Sequence, residues 1–493
     1  MKLKFKLISL FLAIILLLPA SACSNTEEAY IYMQLDEIPQ TLDPQVAKSD
    51  IELLITQNLY EGLMRFNENG ELTYGVAKSH KKQDLTYTFT LRDNVKWKDG
   101  SKLTAYDFEF AFSRALSFDT KAPFASLLYS IKNGEEIASG DLINLDLGVK
   151  AVDEKTLIIE LEYDDPDFLK ALAHPISMPC NKAFFTSCKG KYGLDTDFTL
   201  SNGSYRLGKW SKEIFGIRLY KNKEYKGDFA AKNSAVFISK SEELTASQTL
   251  MQNDADIAFI KPTEIEDLKQ SGFKTVETQN TVWFLTLSNK LPVSMRKSFA
   301  MLASNEVFAS SLLSGTTPAN SIYPPSLNTN VGATGILTYD LDAAKALYSG
   351  AIKTMPDKKL PADIKLYYYD NGFSKNVVTS IVGHWQNNLG AFINIESASS
   401  PTVLESQLIN PDYYMAIFPV TANTTSSTEF LSKFGVSYSD GNLTEQQANL
   451  LSDFTRVPLF YESKVMAYSK SLSNVKIESG MSLDFAFIVK DEE

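Results

Sequence analysis

Leu85, Tyr87, Phe89 and Leu91 alternate with Thr86, Thr88, Thr90 and Arg92, a period of two that predicts a half-buried strand. Asp99-Gly100 marks a turn after it. From Thr104 the period changes: Phe108, Phe112, Ala115 and Leu116 form the buried stripe of a helix. Thr104 with Asp107 has the form of a capping box, and Leu103 with Phe108 that of a hydrophobic staple. The polar residues of this stretch have structural tasks and none forms a catalytic pair. It is scaffold. The chain start follows a different pattern. Lys2, Lys4 and Lys6 precede an apolar run, Leu7 to Leu18, too short to span a membrane, and then Ala20-Ser21-Ala22. This reads as a signal peptide over residues 1–22. Cys23 follows as the lipidated residue of a bacterial lipobox; the plainer alternative is an A-x-A cleavage site with Cys23 incidental. A diacylated cysteine would anchor the mature chain stably.

Composition narrows the function. The 493 residues carry a net charge of −11, and loss of the leader's three lysines makes the mature chain more acidic still. Such a surface argues against nucleic acid and against anionic lipid. The length predicts two or three domains. His80, His174 and His384 lie in no metal or nucleophile spacing, so no metal site, cofactor or enzymatic activity is expected. The 59 acidic residues leave a glycosidase-like carboxylate pair open, but nothing singles one out. Cys180 and Cys188 flank "NKAFFTS", which reads as a short helix. That spacing separates them by ~12 Å, against the ~7 Å a disulfide tolerates, so two buried thiols are expected.

The run "LYEGLMRFNENGELTYGVAKSHKKQDLTYTFTLRDNVKWKDGSKLTAYDFEFAFSRAL" closely resembles the hallmark region of family 5 extracellular solute-binding proteins, the oligopeptide and dipeptide receptors of ABC importers. In the family's order, "EIPQTLDPQ" resembles its first strand and loop, and "LSNGSYRLGKW" its T/SNGxYxLxxW turn. "LMQNDADIAFI" resembles the strand before the hinge, "TTPANSIYPPSL" the ATPAxxxxPP loop and "VPLFYESKVMAYSKSLSNVKI" the return strand. The resemblance implies an α/β, type II periplasmic-binding-protein-like fold with two lobes, a hinge and an extra subdomain. Residues 23–47, 196–282 and 463–493 would form lobe I, 48–195 its extra subdomain and 283–462 lobe II, with hinges near Trp283 and Pro458. It further implies a peptide ligand in the interlobe cleft, paired like an added strand. ABC permease subunits would be the partners, and the protein an exported, lipid-anchored monomer on the outer face of the bacterial cytoplasmic membrane or the periplasmic side of a cell envelope. A receptor for a non-peptide solute, a nickel receptor, and a surface sensor or adhesin reusing the fold are the other readings; the scarcity of histidine argues against nickel.

The resemblance also implies site residues. Where the family grips the ligand amino terminus with G-W-x-x-D-Y-x-x-P, this chain has "IFPVTANTTSSTEFL". Aligned back from Phe430-Leu431, Pro419 takes the glycine, Val420 the tryptophan, Asn423 the aspartate, Thr424 the tyrosine and Ser427 the proline. Asn423 keeps an acceptor oxygen but no charge, and Pro419 removes a backbone donor. Three readings stay open: a blocked or displaced ligand amino end or a longer peptide running through the cleft, a neutral or non-peptide solute, or a charge supplied instead by Glu429 or Glu37. On this alignment Asn423→Asp would tighten binding of free-amino-terminus peptides. Thr421, Trp283, Phe124 and the loop Ile38, Pro39 and Gln40 are the other candidate ligand contacts, each with core packing as the plain alternative. The segment between Phe434 and Val457 is shorter than usual, which predicts a wider or more exposed cleft.

Overall fold

A computed structural model of the protein describes residues 29–141, 147–210, 216–239, 243–312, 314–332, 338–370, 374–408, 413–436, 442–477 and 483–491. The leader and Cys23 lie outside the described residues.

The strand expected near residue 85 runs Thr86–Leu91, with Tyr87, Phe89 and Leu91 buried. It is an inner strand of a four-stranded antiparallel sheet, between Ala77–Gln83 and Thr156–Glu160, with Val149–Ala151 at the far edge. The helix Ala105–Ala115 starts as its sequence requires. The Asp107 carboxylate accepts the Thr104 N–H at 2.8 Å and its hydroxyl at 3.2 Å, and Phe108, Phe112, Ala115 and Leu116 are buried. Trp97, between two lysines, is 1% exposed and is core. Cys180 and Cys188 are buried free thiols at the two ends of the helix Lys182–Ser187, whose Asn181 side chain accepts the Phe184 N–H.

The larger sheet has eleven strands among the described residues. One half contains Tyr30–Leu35, parallel to both Ser234–Ser239 and Ile257–Ile260, and continues through Ile217–Lys221 to Tyr205–Leu207. The other half contains Lys365–Tyr369, parallel to both Asn394–Ala398 and Met415–Thr421. Parallel neighbours require crossovers, and helices such as Ser374–Leu389 and Pro401–Leu408 supply them. Two long antiparallel strands, Lys274–Leu287 and Arg456–Tyr468, join the halves; Thr316–Pro318 pairs with the second of them.

The apolar side chains divide in the same way. One continuous cluster runs from Ile31 and Met33 through Phe89 and Phe112 to Phe485 and Ile488, so the four-stranded sheet shares a core with the first half of the large one. A second cluster gathers Trp283, Phe299, Trp385, Ile417 and Phe460. Two cores joined by two strands can rotate against each other, and the site lies where they meet.

Candidate functional site

The two crossing strands are not regular where they pass between the cores. Their register shifts between Gln279 and Thr281 and again between Trp283 and Phe284. Bulges of this kind bend a strand pair and raise its twist, which is what a hinge needs.

Beside the second bulge, the strand Met415–Thr421 pairs with Lys274–Leu287 along its whole length, but with Lys365–Tyr369 only over Met415–Ile417. Phe418 to Thr421 therefore present an open edge. The ladder fixes which groups face it. The Ala422 N–H donates to Asn280 O and the Ser288 N–H to Tyr414 O, so even-numbered residues of this strand bond inward. Pro419 and Thr421 face outward, and the missing N–H of Pro419 costs the sheet nothing there.

Past that edge the chain turns to meet the other lobe. Asn423 Nδ2 donates to Asp50 Oδ1 at 3.2 Å, and its Oδ1 accepts from Lys433 Nζ at 2.8 Å. Asp50 opens the helix Asp50–Leu59, and its other oxygen accepts from Lys464 Nζ at 2.8 Å. Lys433 Nζ also donates to Thr421 O at 2.6 Å and lies 3.3 Å from the Glu429 carboxylate. Two further contacts cross between the lobes: the Ser427 N–H donates to Asp167 Oδ2 and the Ser432 hydroxyl to Ser126 Oγ, both at 3.3 Å. Long polar bonds of this sort are weak, so they close the cleft without sealing it.

The space left is a cavity of about 50 Å³, lined among others by Asp50, Gln57, Lys170, His174, Asn423 and Ser426. Drug-sized ligands occupy roughly 300–1,000 Å³, so a solute of peptide size enters only after the lobes part. The 423–432 segment itself lies against the other lobe. A larger groove, about 610 Å³, is lined by Gln279, Thr317 and Ser463.

Burial sets the charges. It pushes the Glu429 carboxyl up, and the Lys433 ammonium counters it. Burial also raises Glu462, countered by the Trp283 indole, whose Nε1 donates to it at 2.6 Å, and by Lys464. His174 accepts the Ile176 N–H on Nδ1, while its Nε2 has no partner among the described residues. Burial lowers its imidazole to about 3, so it stays neutral.

The candidate residues fall into distinct places. Asn423 lines the cavity, and Thr421 contributes the carbonyl that Lys433 holds. Pro419 and Val420 pair with Trp283 and Val282 in the sheet. Trp283 is 1% exposed and stacks on Phe460 in the second core. Phe124 is buried against the His174 ring, with centroids 4.8 Å apart, one shell behind the cavity wall. Ile38 to Gln40 sit in the loop fastened to Glu52, which accepts the Gln40 N–H. Glu429 already has its lysine, and Glu37 is exposed. Asp50, Asp167, Lys433 and Lys464 were not singled out by sequence. For Lys433 a signal existed, its i,i+4 spacing from Glu429; the others meet the site only through folding.

Comparison with known proteins places this geometry. The family profile of bacterial extracellular solute-binding proteins, family 5 (middle), matches residues 71–442. The dipeptide-binding protein DppE of Bacillus subtilis is 28% identical over 395 residues, covering 77% of this chain and 72% of the relative. Among solved structures, the pheromone receptor PrgZ superposes with a TM-score of 0.78 at 23% identity over 94% of this chain and all of that one. Listeria monocytogenes OppA bound to peptide gives 0.76 at 21% identity, over 95% of this chain and 100% of its own. The fold is thus the type II periplasmic-binding-protein arrangement.

Proposed function

The chain belongs to family 5 of the bacterial extracellular solute-binding proteins, and from that premise we propose that it is the capturing receptor of an ABC importer, binding oligopeptides in the interlobe cleft for uptake. One observation carries the peptide reading: the open edge at Phe418–Thr421, beside a cavity between two hinged lobes. An extended peptide can add there as a strand, drawing affinity from main-chain bonds that ignore side-chain identity. Ordered water can then adapt to varied side chains. Relatives described as dipeptide- and oligopeptide-binding support the same ligand class.

On this reading lobe I comprises residues 23–47, 196–282 and 463–493, its subdomain 48–195, and lobe II 283–462, hinged near Trp283 and Pro458. Cys23 carries the lipid that holds a monomeric receptor at the outer face of the membrane, where its closed form meets the permease. Capture needs no covalent step.

The test is native mass spectrometry of the protein after incubation with a mixed pool of short peptides. Retention of one peptide per protein, with varied sequences, is expected. An empty protein, or one that keeps only a non-peptide solute from its host, would contradict the proposal.

A further inference from the structure

Three carboxylates meet where the lobes touch, and each already has a lysine. Asp50 pairs with Lys464 at 2.8 Å, Asp167 with Lys170 at 2.8 Å and Glu429 with Lys433 at 3.3 Å. Lys433 is the unusual one. It is the C-cap of the helix Ser427–Ser432, and its ammonium turns back onto three acceptors: Thr421 O at 2.6 Å, Asn423 Oδ1 at 2.8 Å and Glu429. An ammonium has three N–H donors, so this one is fully used. Thr421 O belongs to the open edge, and Asn423 lines the cavity. The acceptors that would receive a cation at this end of the cleft are therefore occupied by the protein's own.

We infer that Lys433 takes the place of a ligand ammonium, so that among short peptides the cleft selects those whose amino end is acylated at this point. The inference rests on the peptide reading above. A free α-ammonium would have to displace Lys433 or lie among lysines without a matching carboxylate, and a desolvated, unpaired charge is strongly disfavoured. An acylated end brings a neutral carbonyl, which the outward-facing Thr421 N–H can meet. Glu429 explains why the lysine stays: it is 3% exposed, and without Lys433 its charge would be buried alone.

The experiment offers the protein equal amounts of one mixed short-peptide pool, half with free amino termini and half N-acetylated, and weighs what is retained. The wild type is expected to retain the acetylated half by at least tenfold. Lys433→Met, which uncovers the three acceptors, should shift the ratio at least tenfold toward free amines. Lys433→Met with Glu429→Gln, lacking the carboxylate, should lose that shift. The wild-type ratio decides the matter even if the variants fold poorly. A wild type that retains free amines as well as or better than acetylated ones overturns the inference and leaves peptide binding standing. Retention of neither half overturns both.

Discussion

Replacing Glu52 with alanine is expected to cost about 3–5 kcal/mol of stability, because four backbone N–H groups lose one buried acceptor, at roughly 1–3 kcal/mol for each donor that water cannot reach. Glu52 is 2% exposed. One oxygen accepts from Gln40 at 2.8 Å and Thr41 at 3.2 Å, the other from Lys48 at 2.9 Å and Ser49 at 3.1 Å. The charge shortens and strengthens such bonds, and the same carboxylate completes the capping box with Ser49. The loop from Ile38 onward is thus tied to the first turn of the helix that presents Asp50 to the other lobe. Chemical denaturation should show the loss, and hydrogen exchange should show early opening of residues 40–49. A change below about 1 kcal/mol would mean that this loop is held by something else.

The second large effect concerns Asn423→Asp. Alignment alone predicts tighter binding of free-amino-terminus peptides. The geometry reverses that expectation. The Asn423 amide faces a lysine on its oxygen side and Asp50 on its nitrogen side, a pairing only a neutral amide can make. An aspartate would set two carboxylates about 3.2 Å apart across the closing surface. Two like charges ~4 Å apart repel by about 4 kcal/mol at an effective dielectric near 20, and Lys433 and Lys464 offset part of it. A tenfold or greater loss of affinity for a retained peptide is expected by calorimetry. The exchange Asn423→Asp with Asp50→Asn restores one donor facing one acceptor and should recover most of the loss. A single variant that bound free-amine peptides more tightly would favour the alignment over the geometry.

The sequence carried the scaffold well because local rules decided it. The alternation at Leu85 to Leu91, the Thr104–Asp107 cap and the helix between the two cysteines each depend on neighbours a few residues away. The site was only partly legible. Asn423 could be placed by a motif, but its meaning depends on Asp50, 373 positions earlier, and no local pattern links them. Trp283 looked like a cleft aromatic; its strand position instead puts the ring against Phe460 and its N–H on Glu462. Ser49-Asp50-Ile51-Glu52 has the S-x-x-E form of a capping box, so the helix start was readable, though not that its aspartate would face another lobe.

Closure of the cleft over its ligand is tested most directly by locking it shut. Asp50→Cys with Asn423→Cys places two thiols where the lobes touch. The reduced double variant, with its lobes free to part, should take up peptides from a mixed pool, and the oxidised form, with a cavity of about 50 Å³, should take up none. Equal uptake by the two forms would mean that peptides bind elsewhere and that the cleft is not the site.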